Sequence, residues 1–432
     1  MMASDRLKSF NYAVGMFGTS IPINMLKTYF AIFYVDRLGL TTVQLASILG
    51  IYAFVDAIDN PVYGFLSDRT RTRWGRRRPW LVIGTPLLVL CFILFYSPPA
   101  LQGDGLFAYA LAFYVLAGTL DSVINANYGA LFPELFRSDR SRASTNALRQ
   151  AFQLVAMIIS IALTPVVTKA LGYSLTAIVY GILGGVVILY MALTSREVDV
   201  HVDEQAPGLW SSLKDLALNR KFWLSGITNA FYSAAMSLVL VSLPFFVKYT
   251  LKIPDEQSTI LFASVLLIAI VCVAIWARLV RRFGLILIWR VALAALAVAY
   301  IPLYFATSLA TAAVGSALVG FGFAGVITTM DLIGAKVMDE DTRQHNVRRE
   351  GIISNALGFM NRLNGLFTAL AFYLVFVLYG FESGDNPGAQ PDQAARFLLT
   401  VVPPILMVIS FAFSFLIDFP ADEAPVAQTD NG

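Results

Sequence analysis

The sequence predicts an all-α polytopic membrane protein of twelve transmembrane helices arranged as two halves of six. Three observations carry this. Of 432 residues, 57% are hydrophobic and only 14% are charged, against about 25% charged in soluble domains. Apolar runs of roughly 20 residues, enough to cross about 30 Å of hydrocarbon, recur from end to end. Lys and Arg concentrate in alternate connections, as they do when those loops stay on one side of a membrane. A β-barrel would instead show short segments of alternating polarity.

Taken in order, the runs place spans near 10–35, 41–67, 79–98, 106–133, 144–170 and 172–194, then 222–247, 257–280, 284–307, 309–338, 350–379 and 394–417. The connection after span two carries Arg69, Arg71, Arg73, Arg76, Arg77 and Arg78. Those after spans four, eight and ten carry Arg137, Arg140 and Arg142; Arg278, Arg281 and Arg282; and Arg343, Arg348 and Arg349. The S-P-P-A-L-Q-G-D-G stretch after span three and the 381–392 loop have no Lys or Arg. Both termini are therefore expected in the cytoplasm of a cell whose inner (plasma) membrane holds the chain.

The longest internal polar stretch, 196–221, separates an N-terminal bundle (1–195) from a C-terminal bundle (222–418). Within it Leu209, Leu213, Leu216 and Ala217 fall at helical spacing beside Trp210. That pattern fits a helix on the inner membrane surface, and fits a solvated linker helix equally well. Residues 419–432 read as a disordered acidic tail. The start, M-M-A-S-D-R-L-K-S-F, leads into a full span and offers no cleavable signal peptide. Cys91 and Cys272 lie in apolar runs and read as buried hydrophobes, with no disulfide or metal framework. The basic residues follow topology, so no nucleic-acid partner is expected, and the chain is read as a monomer. No nucleophile elbow, phosphate loop or metal-ligand motif occurs, so no enzyme, metal site or cofactor is expected.

Seven ionisable residues lie inside the spans: Lys27, Asp56, Asp59, Asp121, Arg149, Asp331 and Arg362. Charge at membrane depth is costly and persists mainly where it faces a cavity or a counter-charge, which makes each a functional candidate. On span two, Asp56, Asp59, Asn60 and Tyr63 fall at i, i+3, i+4 and i+7 and share one face. Asp121, Asn125 and Tyr128 do the same on span four. Carboxylate and amide oxygens on two facing helices suit a small hard cation, and the acids could take a proton instead. Plain interhelical hydrogen bonding, worth about 1 kcal/mol, is the alternative for such residues. Arg149, followed by Gln150 and Gln153, opens span five; Asn361 and Arg362 lie on span eleven. Each arginine is read as a switching ion pair or as a permanent structural one.

Six spans plus six with a long central connection is the plan of the major facilitator fold, in which two pseudo-symmetric bundles enclose a site near the midplane. G-F-L-S-D-R followed by G-R-R-R resembles that superfamily's loop motif between spans two and three, with T-R-T-R-W inserted. The D-A-x-x-(D/N)-P-x-x-G and D-R-T-R-(S/T)-R-W-G pattern from Asp56 to Trp80 is more specific. It resembles the glycoside–pentoside–hexuronide:cation symporter family, whose best-known member is melibiose permease. Y-G-A-L-F-P-E-L at the close of span four, Arg149, and M-D-E-D then R-R-E-G before span eleven extend the likeness over nearly the whole chain.

The resemblance implies cation- or proton-coupled symport of a sugar or glycoside, with Na+ or H+ as coupling ion. It implies a cation site at Asp56, with Asp59, Asn60, Asp121 and Asn125 around it; the family's second acid falls at Asn60 and its span-four acid at Asn125. It implies a substrate site drawing on Ser20, where the family has a sugar-contacting acid, with Lys27, Asp121, Tyr128, Arg149, Gln153, Asn361 and Arg362. Asp68, Arg69, Arg76, Arg77 and Arg78 would form the conformational-coupling loop. Gly129 stands where melibiose permease stacks sugar on a tryptophan, so melibiose is not the expected substrate. A lysophospholipid or other amphiphile carrier and a non-transporting membrane sensor are the competing readings.

Overall fold

Each apolar run becomes a helix because hydrocarbon offers backbone N–H and C=O groups no partner outside their own segment. The computed structural model describes residues 3–136, 139–195, 219–345, 357, 360–361, 364–382 and 384–417, and no strand occurs among them. The first span comprises α1 (Ala3–Ala13), α2 (Gly15–Ala31) and a π-helical end, Ile32–Arg37. It begins at Ala3 instead of residue 10, because the polar first turns continue the helix beyond the hydrocarbon. Then come α3 (Thr42–Arg69), α4 (Arg78–Phe95) and α5 (Gly103–Leu135). A capping box starts α3: the Thr41 hydroxyl accepts from the Gln44 N–H at 3.1 Å while the Gln44 side chain accepts from the Thr41 N–H.

Span five runs through α6 (Asp139–Met157), the π-helical segment Ile158–Ala162 and the first two turns of α7 (Thr164–Thr194). At Gly172 the backbone takes φ 76° and ψ 169°, a conformation open to glycine alone. The chain reverses there, and 173–194 form the sixth span. In the second half lie α8 (Arg220–Phe245) with its π-helical end Phe246–Thr250, α9 (Ser258–Phe283), α10 (Leu285–Tyr304) and α11 (Leu309–His345). They are followed by α12 (Asn364–Tyr379), α13 (Pro391–Thr400) and α14 (Val402–Ser414). α11 continues seven residues beyond the expected 338; at 37 residues and about 1.5 Å per residue it outreaches the hydrocarbon layer. The connection 196–218 and the tail from 418 lie outside the described residues, as does most of 350–363 in the expected eleventh span.

Eight helices among the described residues are long and apolar enough to cross a membrane, and Thr42–Asp56, Leu148–Ala162 and Asn364–Tyr379 are shorter apolar ones. Large apolar side chains such as Ile83, Val186, Val271, Val298 and Phe305 stand more than half exposed on the outside of the bundle. Such a surface belongs against lipid, not water. In the first half α3 packs on α5, α4 on α5 and α7, and α2 on α6 and α7; in the second, α11 packs on α9 and α10, and α14 on α8 and α10. α12 lies against α3, and α2 against α8, so the two halves meet along these helices.

Without a hydrophobic force between helices in lipid, close approach at small residues provides much of the packing. A Cβ added to Gly18 would stand 2.8 Å from the Gly184 carbonyl oxygen, and the reverse holds for Gly184. On α11 a Cβ at Gly320 would come within 2.3 Å of the Val265 carbonyl oxygen on α9. Backbone cannot step aside as a flexible side chain can. Gly320→Val is expected to force α9 and α11 apart and to cost about 1–3 kcal/mol. A fall in the thermal midpoint of the detergent-solubilised protein checks this, with Gly50→Val, where open space surrounds the site, as the control.

Candidate functional site

A cavity of about 330 Å³ lies between the halves near the middle of the helices. Its walls come from the first, second, fourth, seventh and eleventh spans. Among the described residues three charged ones line it: Lys27 of α2, Asp56 of α3 and Asp121 of α5. Phe30, Tyr52 and Tyr114 add an aromatic side, and Ser237 of α8 faces Asn361, Asn364 and Thr368 from the eleventh span.

Packing between α3 and α5 holds the carboxylates in place. Asp56 is buried and accepts from the Ser122 hydroxyl at 3.0 Å and the Tyr52 hydroxyl at 3.3 Å. One turn along, buried Asp59 accepts from the Thr119 hydroxyl at 2.6 Å. Asp121 accepts from Asn125, whose amide bonds both its carboxylate at 2.6 Å and its backbone carbonyl at 3.1 Å. Each acid thus has neutral donors that stabilise charge at depth. On the opposite wall Asn364 donates to Ser233 at 3.1 Å, while the Asn361 carbonyl oxygen is buried with no hydrogen-bond partner. Among the described residues no three His, Cys, Asp or Glu side chains gather to hold a metal ion.

The structure brings Asp56, Asp121, Lys27 and Asn361 to one space, with Asn125 acting through Asp121. Asp59 is placed between α3 and α5 instead of on the chamber wall. The side chain of Asn60, and Arg362 altogether, lie outside the described residues. Ser20 is buried within the first half and does not line the chamber.

Tyr128 is not brought to the chamber either. It shares the face of Asp121 but sits two turns further along α5, where that face meets α1 and α6. There its ring stacks on Tyr12 at 4.6 Å, and its hydroxyl donates to the Tyr12 carbonyl at 3.2 Å. Arg149 lies over the same group, 5.0 Å from the Tyr128 ring and 5.2 Å from that of Phe132. This cation–π cluster holds the arginine away from the chamber, although its buried Nε has no hydrogen-bond partner; among the described residues span five, Gln153 included, contributes nothing to the wall.

In the arginine loop, Arg77 donates to Ser67 at 2.6 Å. Arg78 donates to the Ala192 and Leu193 carbonyls at 2.8 and 3.0 Å. The loop is thereby tied to the ends of α3 and α7. Arg76 is half-buried, and the side chains of Asp68 and Arg69 lie outside the described residues.

Sequence reasoning passed over the residues that close the chamber at the end away from that loop. Asp36, almost fully buried, takes hydrogen bonds from both Lys248 and Tyr249 across the halves. Arg37 pairs with Asp255 at 3.3 Å, and Lys169 pairs with Glu256. Thr42 donates its hydroxyl to the Phe381 carbonyl at 2.8 Å and its N–H to that of Glu382, and Gly384 donates to the Val35 carbonyl. Asp36 stands at the margin of an apolar run and reads as a loop charge; its near neighbours Thr41 and Gly39 reinforce that impression. Tyr52, at i−4 from Asp56, was the one visible signal for the aromatic side.

A family described as MFS/sugar transport protein matches residues 11–421. The chain belongs to that family. An isoprimeverose transporter of Lactiplantibacillus pentosus is 24% identical over 94% of this family member and 86% of its own length. An uncharacterized symporter of Synechocystis sp. is 36% identical, but over 35% of this chain and 29% of that protein. Among solved structures, a bacterial homolog of the human lysosomal transporter Spinster, inward-facing and unoccupied, superposes with a TM-score of 0.71. It shares 14% identity, over 96% of this chain and 97% of that one. The common ground with it is the major facilitator fold.

If the Asp36 contacts hold this sugar-transport family member shut at one end, Asp36→Asn should loosen it. Spin labels at Gln102 and Ser308, in exposed loops of the two halves at that end, should then show a new, longer distance by double electron–electron resonance. An unchanged distribution would remove Asp36 from this role.

Proposed function

We propose that the chain is a secondary active symporter that moves a sugar or glycoside, coupled to Na+ or H+, by alternating access. One observation carries the reading: Asp56 and Asp121 from one half and amides and hydroxyls from the other face a single chamber that is sealed at one end. Its volume falls in the range of small-molecule sites. The name of the isoprimeverose relative supports a sugar as cargo.

In this reading Asp56 is the central ligand of the coupling ion, with the Ser122 hydroxyl and Asp121 close by on α5. Asp59 acts on that ion through the α3–α5 seam. Substrate lies toward Phe30, Tyr52 and Tyr114 and reaches Asn361 and Asn364. The buried, unpartnered carbonyl oxygen of Asn361 wants a hydroxyl donor, and a sugar brings several. The chain sits in the cytoplasmic membrane with both termini inside, as the basic connections require. The sealed end then faces outward, so the described state opens toward the cytoplasm. Ion and substrate favour the closed-over state because they bind it better than either open one.

Purified protein in liposomes is expected to accumulate a labelled glycoside under an inward Na+ or pH gradient. Asp56→Asn, which keeps shape and removes charge, should lower gradient-driven accumulation at least tenfold. Accumulation by the variant at the wild-type level would take Asp56 out of ion coupling, and no gradient-dependent uptake of any sugar would overturn the symport reading.

A further inference from the structure

The connection between α3 and α4 divides its arginines between two tasks. Arg77 donates to Ser67, and Arg78 to the Ala192 and Leu193 carbonyls, so these two hold the loop against the ends of α3 and α7. Arg71 and Arg73 are exposed and make no ion pair or hydrogen bond among the described residues. Arg73 lies 5.8 Å from the ring of Trp74. The turn that carries them is nonetheless held in shape: the Thr72 hydroxyl donates to the Gly75 carbonyl at 2.8 Å and accepts from the Trp74 N–H at 3.2 Å. Trp74 is 49% exposed, and on either side of the loop Leu66 of α3 and Ile83 of α4 are exposed apolar side chains. The same rim continues through the end of α7 to α1. Tyr190 donates to Asn11 at 2.9 Å, and Arg6, Leu7 and Lys8 beyond it are exposed.

We propose that this rim binds the headgroup of an anionic phospholipid, with Arg71 and Arg73 on the phosphate and Trp74 seated in the interface beside them. Such a site lies on the outside of the bundle, so it stands whatever the chamber carries. An indole has an apolar ring and a polar N–H, and it settles where hydrocarbon meets headgroups. A guanidinium offers a phosphate two parallel N–H donors. A zwitterionic headgroup brings its own cation beside the phosphate, and that cation repels the arginines; an anionic headgroup brings none. Arg6 and Lys8 add to the same field, each cation near an anionic leaflet strengthening association about fivefold. Because Arg77 and Arg78 join the loop to α3 and α7, a bound headgroup also holds the ends of both helices at one depth.

Native mass spectrometry of the full chain in detergent tests this, with phosphatidylglycerol and phosphatidylcholine supplied in equal amounts. The protein is expected to retain phosphatidylglycerol about fivefold over phosphatidylcholine or better, and the preference should shrink as salt rises from about 0.05 to 0.5 M. Arg71→Gln combined with Arg73→Gln should bring the preference below about twofold, while the corresponding pair of lysine substitutions should keep most of it. Arg281→Gln with Arg282→Gln, at the exposed end of α9, should lower it less. Phosphatidylglycerol brominated near its headgroup should quench indole fluorescence more than brominated phosphatidylcholine does, and Trp74→Phe should remove the difference. All these side chains are exposed, and an unchanged thermal midpoint in phosphatidylcholine confirms that each variant is folded. Equal retention of the two lipids by the unaltered protein overturns the proposal. So does an Arg71→Gln, Arg73→Gln variant that prefers phosphatidylglycerol as strongly as the α9 variant, or quenching that Trp74→Phe leaves unchanged. Displacement of the lipid by millimolar inorganic phosphate would mark a site for the free ion and overturn it as well.

Discussion

Charge that enters a membrane must be compensated where it stands, and the first half of this protein is assembled around that constraint. Along the α3–α5 seam, Asp56 takes the Ser122 hydroxyl and Asp59 the Thr119 hydroxyl. Tyr52 can reach Asp56 because Gly118 leaves room: a Cβ there would lie 2.1 Å from a ring carbon of Tyr52. One absent methyl group on α5 therefore sets the donor shell of an acid on α3. Interhelical hydrogen bonds in membranes contribute only about 0.6–2 kcal/mol each, so their value here lies more in orientation than in stability.

Among the described residues the second half answers at the chamber with neutral polar groups, and the balance between the halves lets them move. Contacts at the sealed end are ionic and hydrogen-bonded, built from Asp36, Arg37, Lys169, Lys248, Asp255 and Glu256. Polar contacts of this kind can exchange for water when an interface opens, whereas an interdigitated apolar seam would resist. Closer to the chamber, Gly365 lets α12 approach α3, with Ala53 and the Leu49 carbonyl 3.6 and 3.8 Å from where its Cβ would be. That is ordinary contact without interlocking, as a surface that rocks requires. Within each half helices approach more closely than that, as at Gly18 with Gly184 and Gly320 with Val265; between the halves such closeness recurs at the sealed end, where a Cβ on Gly384 would stand 2.1 Å from the Asp36 carbonyl oxygen. Rigid bundles and a seam that is looser beside the chamber fit alternating access.

Much of this was legible in the residues, and what was not has a common cause. Hydropathy located the spans because backbone in hydrocarbon must be helical, and the break expected between 170 and 172 falls where the backbone turns at Gly172. Asp56, Asp121 and Lys27 stood out because charge within an apolar run has few structural excuses. Helical spacing correctly put Tyr128 on the face of Asp121, yet it could not say what that face meets two turns lower. Tyr12 and Arg149 meet it there, from sequence positions 116 residues before and 21 after. Asp36 was passed over because a charge at a span's margin looks solvated, and only Lys248 and Tyr249, more than 200 residues away, bury it.

The chain by itself therefore determined its class, its succession of membrane-spanning helices, and which charges demand an explanation. Tertiary structure decided which of those charges share water and which are absorbed into packing, and which end of the molecule is shut. Periodicity sets the angle of a side chain about its own helix axis. Depth and neighbours belong to the pairing of helices, and those distances are nowhere written in a single run of residues.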